Sequence, residues 1–251
     1  MLHNTGMKMG DSCHGKRLIG DMYCISRSCE KMIGLLVIDM NNAFVNSESP
    51  LCVSGAKKTV PRIRRVVDEC RKRGIPVFFI TRGYREDGSD VELSRWKYWS
   101  ENGRPLLLNS KGKLSGEFYG PLKPKKGDYV VLKKKWSAFF RTELDLLLRK
   151  HDVDTVVITG TQTPNCIRAT AYDADMNDFG TILISDCISS NTEEVQQANL
   201  RDFRNVGFTV LSSDEFIGKL DRFTGGRTLA ETVKTDVKKR FNSTTMKHHR
   251  G

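Results

Sequence analysis

The sequence is poor in histidine. It has five, and none falls between residues 15 and 150. His3, His14, His248 and His249 lie near the two ends. His151 closes a helical segment just before a strand, which puts it at the amino-terminal edge of a parallel sheet. A Cys–His dyad is therefore poorly supported. The seven cysteines, at 13, 24, 29, 52, 70, 166 and 187, form no C-x-x-C pair and no Cys/His pattern with zinc spacing. Their odd count favours free thiols in a reducing, cytoplasmic setting over a disulfide framework. No apolar run approaches the roughly 20 residues of a membrane helix. The first 31 residues lack the apolar centre of a secretory signal, and there are no internal repeats.

Positive charge is in excess, at +11 over 251 residues. Its location argues against a nucleic-acid partner. Residues 220–251 hold eight Lys/Arg against three Asp/Glu, and residues 1–31 hold five against three. The two ends supply over half the excess, and no DNA- or RNA-binding motif accompanies it. The expected organisation is a peripheral extension over 1–31, one domain over 32–219 and a basic tail over 220–251.

Six short β-branched runs recur: Ile33–Ile38, Pro76–Thr81, Tyr129–Lys133, Thr155–Thr159, Thr181–Ser185 and Phe208–Leu211. Most are continuously hydrophobic, as in parallel strands covered on both faces. Helical patterns lie between them. In one, Thr59 caps, Pro61 sits in the first turn, Ile63, Val66, Val67 and Cys70 share a face, and Gly74 stops the helix. A second covers 142–151. A third, 191–207, opens with Asn191 or Thr192 as cap and buries Val195, Ala198, Leu200 and Phe203. The alternation predicts a three-layer α/β/α domain with right-handed crossovers. The connection over 82–128 is long enough to be functional or disordered.

In such sheets ligands bind beyond the carboxyl ends of the strands. The first strand runs into Asp39, the third into Lys133, and the fourth leads through G-T-Q-T-P-N to Cys166. Each has an ordinary structural explanation: a turn cap, a solvated lysine run, a buried thiol. An acid, a cation and a thiol at one sheet edge point instead to chemistry. An ammonium and a helix N-terminus both favour thiolate, and the amide of Cys166 could face an oxyanion. Arg82, Tyr84 and Arg85 follow the second strand at the same edge. There an arginine could bind a substrate carboxylate or pair at the surface with Glu86 or Asp87.

At these residues the chain resembles the isochorismatase-like cysteine hydrolases, a superfamily that includes nicotinamidases, N-carbamoylsarcosine amidase and ureidoacrylate amidohydrolases. L-L-V-I-D-M-N-N-A-F is similar to the family's aspartate motif, K-K-K-W-S-A-F-F to its lysine motif, and G-T-Q-T-P-N-C-I-R-A-T-A-Y-D-A to its nucleophile motif. The resemblance implies a six-stranded parallel sheet in the order 3-2-1-4-5-6. It implies a triad of Asp39, Lys133 and Cys166, a cis peptide joining Thr161 to Gln162, and an oxyanion hole from the amides of Gln162 and Cys166. Phe44, Trp136 and Asn165 flank the motifs and, with Arg82, are the expected substrate-binding residues. Metal-dependent nicotinamidases carry Asp-x-His after the second strand. Here that region reads T-R-G-Y-R-E-D-G-S-D-V-E, so neither a metal nor another cofactor is expected. The implied activity is hydrolysis of a C–N bond in a small amide or ureide, by a homo-oligomer. Vinyl-ether hydrolysis of isochorismate and non-enzymatic small-molecule binding are the alternatives.

Overall fold

The computed structural model describes residues 32–223. The extension 1–31 and nearly all of the basic tail lie outside the described residues. Six strands form one parallel sheet: β1 (Met32–Ile38), β2 (Val77–Arg82), β3 (Tyr129–Lys133), β4 (Val153–Thr161), β5 (Gly180–Ser189) and β6 (Thr209–Leu211). Their spatial order is β3-β2-β1-β4-β5-β6, as the resemblance implies.

The uninterrupted apolar run of β1 feeds two cores because alternate side chains point to opposite faces. Leu35 and Val37 pack with helices α1 (Asn42–Val45), α2 (Ala56–Lys72) and α7 (Ser213–Phe223). Leu36 and Ile38 pack with α4 (Leu144–Lys150), α5 (Arg168–Met176) and α6 (Glu193–Val206). All four are fully buried. Each such side chain contributes about 1.5–3 kcal/mol relative to exposure. The edge strand β3 departs from the two-sided expectation. Val131 and Lys133 point inward, whereas Val130 and Leu132 are exposed.

Three further readings need correction. α2 begins at Ala56, with Gly55 as its N-cap, so Thr59 and Pro61 lie inside the helix. Thr59 does not cap; its hydroxyl donates to the Ala56 carbonyl at 2.8 Å. In α6, Thr192 is the cap, accepting from the Val195 amide at 3.3 Å. Val195 and Ala198, however, are exposed, and Gln196 and Asn199 are buried in their place. Finally, the boundary expected after 219 falls inside α7.

The connection over 82–128 is ordered. It contains helix α3 (Leu93–Glu101) and a single helical turn at Gly112–Leu114. Trp99 anchors it, buried and donating Nε1–H to the Pro105 carbonyl at 2.9 Å. Bridges Asn41–Phe118 and Tyr84–Leu107 lay it across the carboxyl edge of the sheet.

Candidate active site

Parallel register brings the strand ends together. Ile38 of β1 pairs with Ile80 of β2 and Gly160 of β4, and Arg82 of β2 pairs with Lys133 of β3. Gly160 makes the approach of β4 to β1 possible. Its φ is +114°, and a Cβ there would lie 2.0 Å from the Ile38 carbonyl oxygen. Asp39 follows β1 in a left-handed conformation, φ 53°. Its amide donates to the Ile80 carbonyl at 3.0 Å.

Asp39 and Lys133 are both 0% exposed, and Lys133 Nζ donates to Asp39 Oδ2 at 2.7 Å. Nζ also donates to the Lys135 carbonyl at 3.2 Å. Asp39 Oδ1 has no protein partner. The lysine run is not a solvated face. Lys134 pairs with Asp90 Oδ2 at 3.1 Å, and Lys135 Nζ donates to the Asp90 carbonyl at 2.9 Å.

After β4 the Thr161–Gln162 peptide is cis, and Thr163–Ile167 form one wide helical turn that delivers Cys166. The amides of Asn165 and Ile167 both donate to the Gln162 carbonyl. The Cys166 carbonyl accepts from Thr170 Oγ1 at 2.7 Å, and Thr170 Oγ1 accepts from the Ala138 amide at 3.0 Å. Thr170 thus ties the cysteine turn to the segment after β3. Cys166 is 3% exposed. Burial pushes its thiol pKa up; Lys133 pulls it down, Asp39 pushes it up and Arg82 pulls it down.

These elements and motifs fall within residues 34–215, which match the family model of the isochorismatase domain. The chain belongs to the isochorismatase family. It is 40% identical over 176 residues to an Arabidopsis thaliana protein described as a probable inactive nicotinamidase, covering 69% of this chain and 88% of that one. It is 28% identical over 184 residues to N-carbamoylsarcosine amidase of an Arthrobacter species, covering 73% and 69%. A solved isochorismatase family protein from Desulfovibrio vulgaris matches with TM-score 0.70 at 38% identity, over 76% of this chain and 97% of that one.

On this isochorismatase-family scaffold the expected binding residues separate. Phe44 and Gln162 line a cavity of about 320 Å³ with Leu51, Val53, Arg95 and Tyr98. Asn165 reaches the same wall indirectly, its Nδ2 donating to Gln162 Oε1 at 2.8 Å. Trp136 is not part of the wall and is partly exposed. A larger cavity, about 560 Å³, opens between α2, the end of β5 and the start of α6; Asp39, Lys133 and Cys166 line neither cavity. Of the two arginines at this edge, Arg85 makes the surface pair, with Asp87 at 3.7 Å, and Arg82 does not. Arg82 is buried, ion-paired to Glu92, with Nη1 3.9 Å from Cys166 Sγ. Glu92, Asp90 and Thr170 escaped the sequence reading. Only Asp90 and Glu92 carried any signal, as acids in the long connection beside strand-end cations. Among the described residues no helix is long and apolar enough to cross a membrane.

Proposed function

We propose that this chain is a cysteine-dependent hydrolase that cleaves a C–N bond of a small amide or ureide through a thioester. The observation that carries this reading is the buried Asp39–Lys133 contact of 2.7 Å at the sheet edge where Cys166 also sits. Asp39 takes the thiol proton, and the sulfur pair forms a bond to the carbonyl carbon. The carbonyl π pair moves to oxygen, which the amides of Gln162 and Cys166 hold; one such donor is worth about 3 kcal/mol. The oxyanion collapses, the C–N bond breaks, and Asp39 returns its proton to the departing nitrogen. Water then attacks the thioester, giving a proton to Asp39, and the C–S bond breaks. The sulfur recovers that proton. Lys133 holds the Asp39 carboxylate in place throughout and favours the thiolate. Phe44 is the proposed substrate contact, with Asn165 steadying Gln162 beside it.

The similarity to an N-carbamoylsarcosine amidase supports amide-type substrates. Four free thiols among the described residues, at 52, 70, 166 and 187, suit a reducing, cytoplasmic setting. A homo-oligomer is part of the same reading. Ammonia release from a panel of small amides and ureides tests it. Cys166→Ala abolishes turnover and Asp39→Asn nearly does; full turnover in Cys166→Ala removes the covalent route. If isochorismate is cleaved equally by both proteins, vinyl-ether hydrolysis takes its place.

A second reading is a small-molecule binder without turnover. It draws on the closed thiol, 3% exposed, and on the relative described as probable inactive. Saturable binding of an amide, with no ammonia released and no acyl mass on Cys166, would favour it.

A further inference from the structure

The triad leaves one charged member of the cluster without a role. Arg82, the last residue of β2, is 1% exposed. A buried guanidinium kept only to neutralise a carboxylate presents a pair of donors to it. Arg82 does otherwise. Nη2 donates to Glu92 Oε1, Nη1 lies 3.9 Å from Cys166 Sγ, and Nε has no protein partner. Glu92 is itself held, because its Oε2 accepts from the Tyr84 hydroxyl at 2.7 Å. Lys133 spends its hydrogen bonds on Asp39 Oδ2 and the Lys135 carbonyl, so that only its charge acts on the sulfur.

Charge placement follows from these contacts. Moving the thiol proton to Asp39 leaves the total charge of the cluster unchanged. It shifts one negative charge from the carboxylate, which Lys133 faces, to the sulfur, which Arg82 faces. Lys133 faces both ends of the transfer, and Arg82 adds a second cation at the sulfur end.

We infer that Arg82 is a catalytic residue, the direct counter-ion of the Cys166 thiolate, and that Glu92, braced by Tyr84, is the positioning residue that aims it. The inference rests on Cys166 being the nucleophile. It gives Arg82 a different task from anchoring a substrate carboxylate, since one end of its fork is already taken by Glu92 and little of it is accessible. The charged groups facing the sulfur are Lys133 from β3, Asp39 after β1 and Arg82 from β2, with Glu92 and Tyr84 behind Arg82.

The test titrates the thiolate in the full-length protein, as far-ultraviolet absorbance in difference from Cys166→Ala, beside the pH profile of kcat/KM. In Arg82→Gln the thiolate midpoint moves up by about one to three pH units, and the limb of the rate profile moves with it. Arg82→Lys, which keeps the charge, restores much of the midpoint. Should Arg82→Gln fail to fold because it strands Glu92, the Arg82→Gln/Glu92→Gln double variant carries the same expectation with no lone buried carboxylate. Glu92→Gln lowers kcat with KM unchanged, and Glu92→Asp recovers part of the loss. A folded double variant whose titration and rate profile superimpose on wild type overturns the inference while leaving the nucleophile intact. Turnover retained in Cys166→Ala overturns the nucleophile itself, and the inference with it.

Discussion

Replacing Lys133 by methionine keeps most of the side-chain volume and removes one charge from a pair that water does not reach. Both partners are 0% exposed, at 2.7 Å. In the wild type the attraction and the desolvation cost largely offset each other. In Lys133→Met only the cost remains. Asp39 is left buried, and its other oxygen already lacks a protein partner. Breaking a buried pair from one side costs about 3–5 kcal/mol, a large share of the roughly 5–15 kcal/mol that holds a domain folded. With a urea dependence of about 2–3 kcal/mol/M, the midpoint falls by about 1–2 M. Urea unfolding followed by circular dichroism at one fixed protein concentration measures it. Asp39→Asn/Lys133→Met, which buries no charge, recovers well over half of the loss. If Lys133→Met unfolds within about 0.5 kcal/mol of wild type, or the double variant loses the sum of the two single losses, the two side chains are not coupled as a buried ion pair.

Two further outcomes follow from other parts of the fold. Burial pushes the Cys70 thiol up to about 12 from 9.0. The folded form therefore holds its proton between pH 9 and 12 while the unfolded form loses it, so this stability is present below pH 9 and declines by about 1.4 kcal/mol per pH unit above it. Cys70→Ala flattens the alkaline slope of a pH series of unfolding midpoints by one thiol's share; an unchanged slope refutes the assignment. Gly160→Ala forces a Cβ against the Ile38 carbonyl at a φ of +114°, and it costs about 4 kcal/mol or more. Soluble Gly160→Ala protein with a wild-type melting temperature would show that β1 and β4 do not approach as closely as described.

The sheet was legible because buried parallel strands need apolar side chains on both faces, and six such runs stand out from charged surroundings. Asp39, Lys133 and Cys166 were legible for a related reason, since each stands at or just beyond a strand end. Helix starts were harder to read. Thr59 and Pro61 carry the marks of an N-terminus, yet α2 starts earlier and tolerates the proline. The missing N–H costs one hydrogen bond to the Lys57 carbonyl, offset by burial of Val60, Ile63, Val66 and Val67. In α6 two of the inward positions, Gln196 and Asn199, are polar and hydrogen-bonded, which hides them from any apolar pattern. Gln196 donates to the Ile188 carbonyl at 3.1 Å and accepts from Ser190, and Asn199 accepts from Arg168. Glu92 carried only a faint signal, for a third reason. Its partner lies ten residues back across a turn at Gly88, and only the folded connection brings the two together.

The row of charged groups and the wall of the 320 Å³ cavity are carried by different kinds of backbone. Asp39, Arg82 and Lys133 sit where three hydrogen-bonded strands stop, so any shift of one drags a ladder with it. Apart from Gln162, which directly follows β4, the wall residues Phe44, Leu51, Val53, Arg95 and Tyr98 come from α1, the stretch leading to α2, and α3, none of which is a strand. Lengthening or recolouring those excursions would reshape that cavity without disturbing the groups proposed to break the bond.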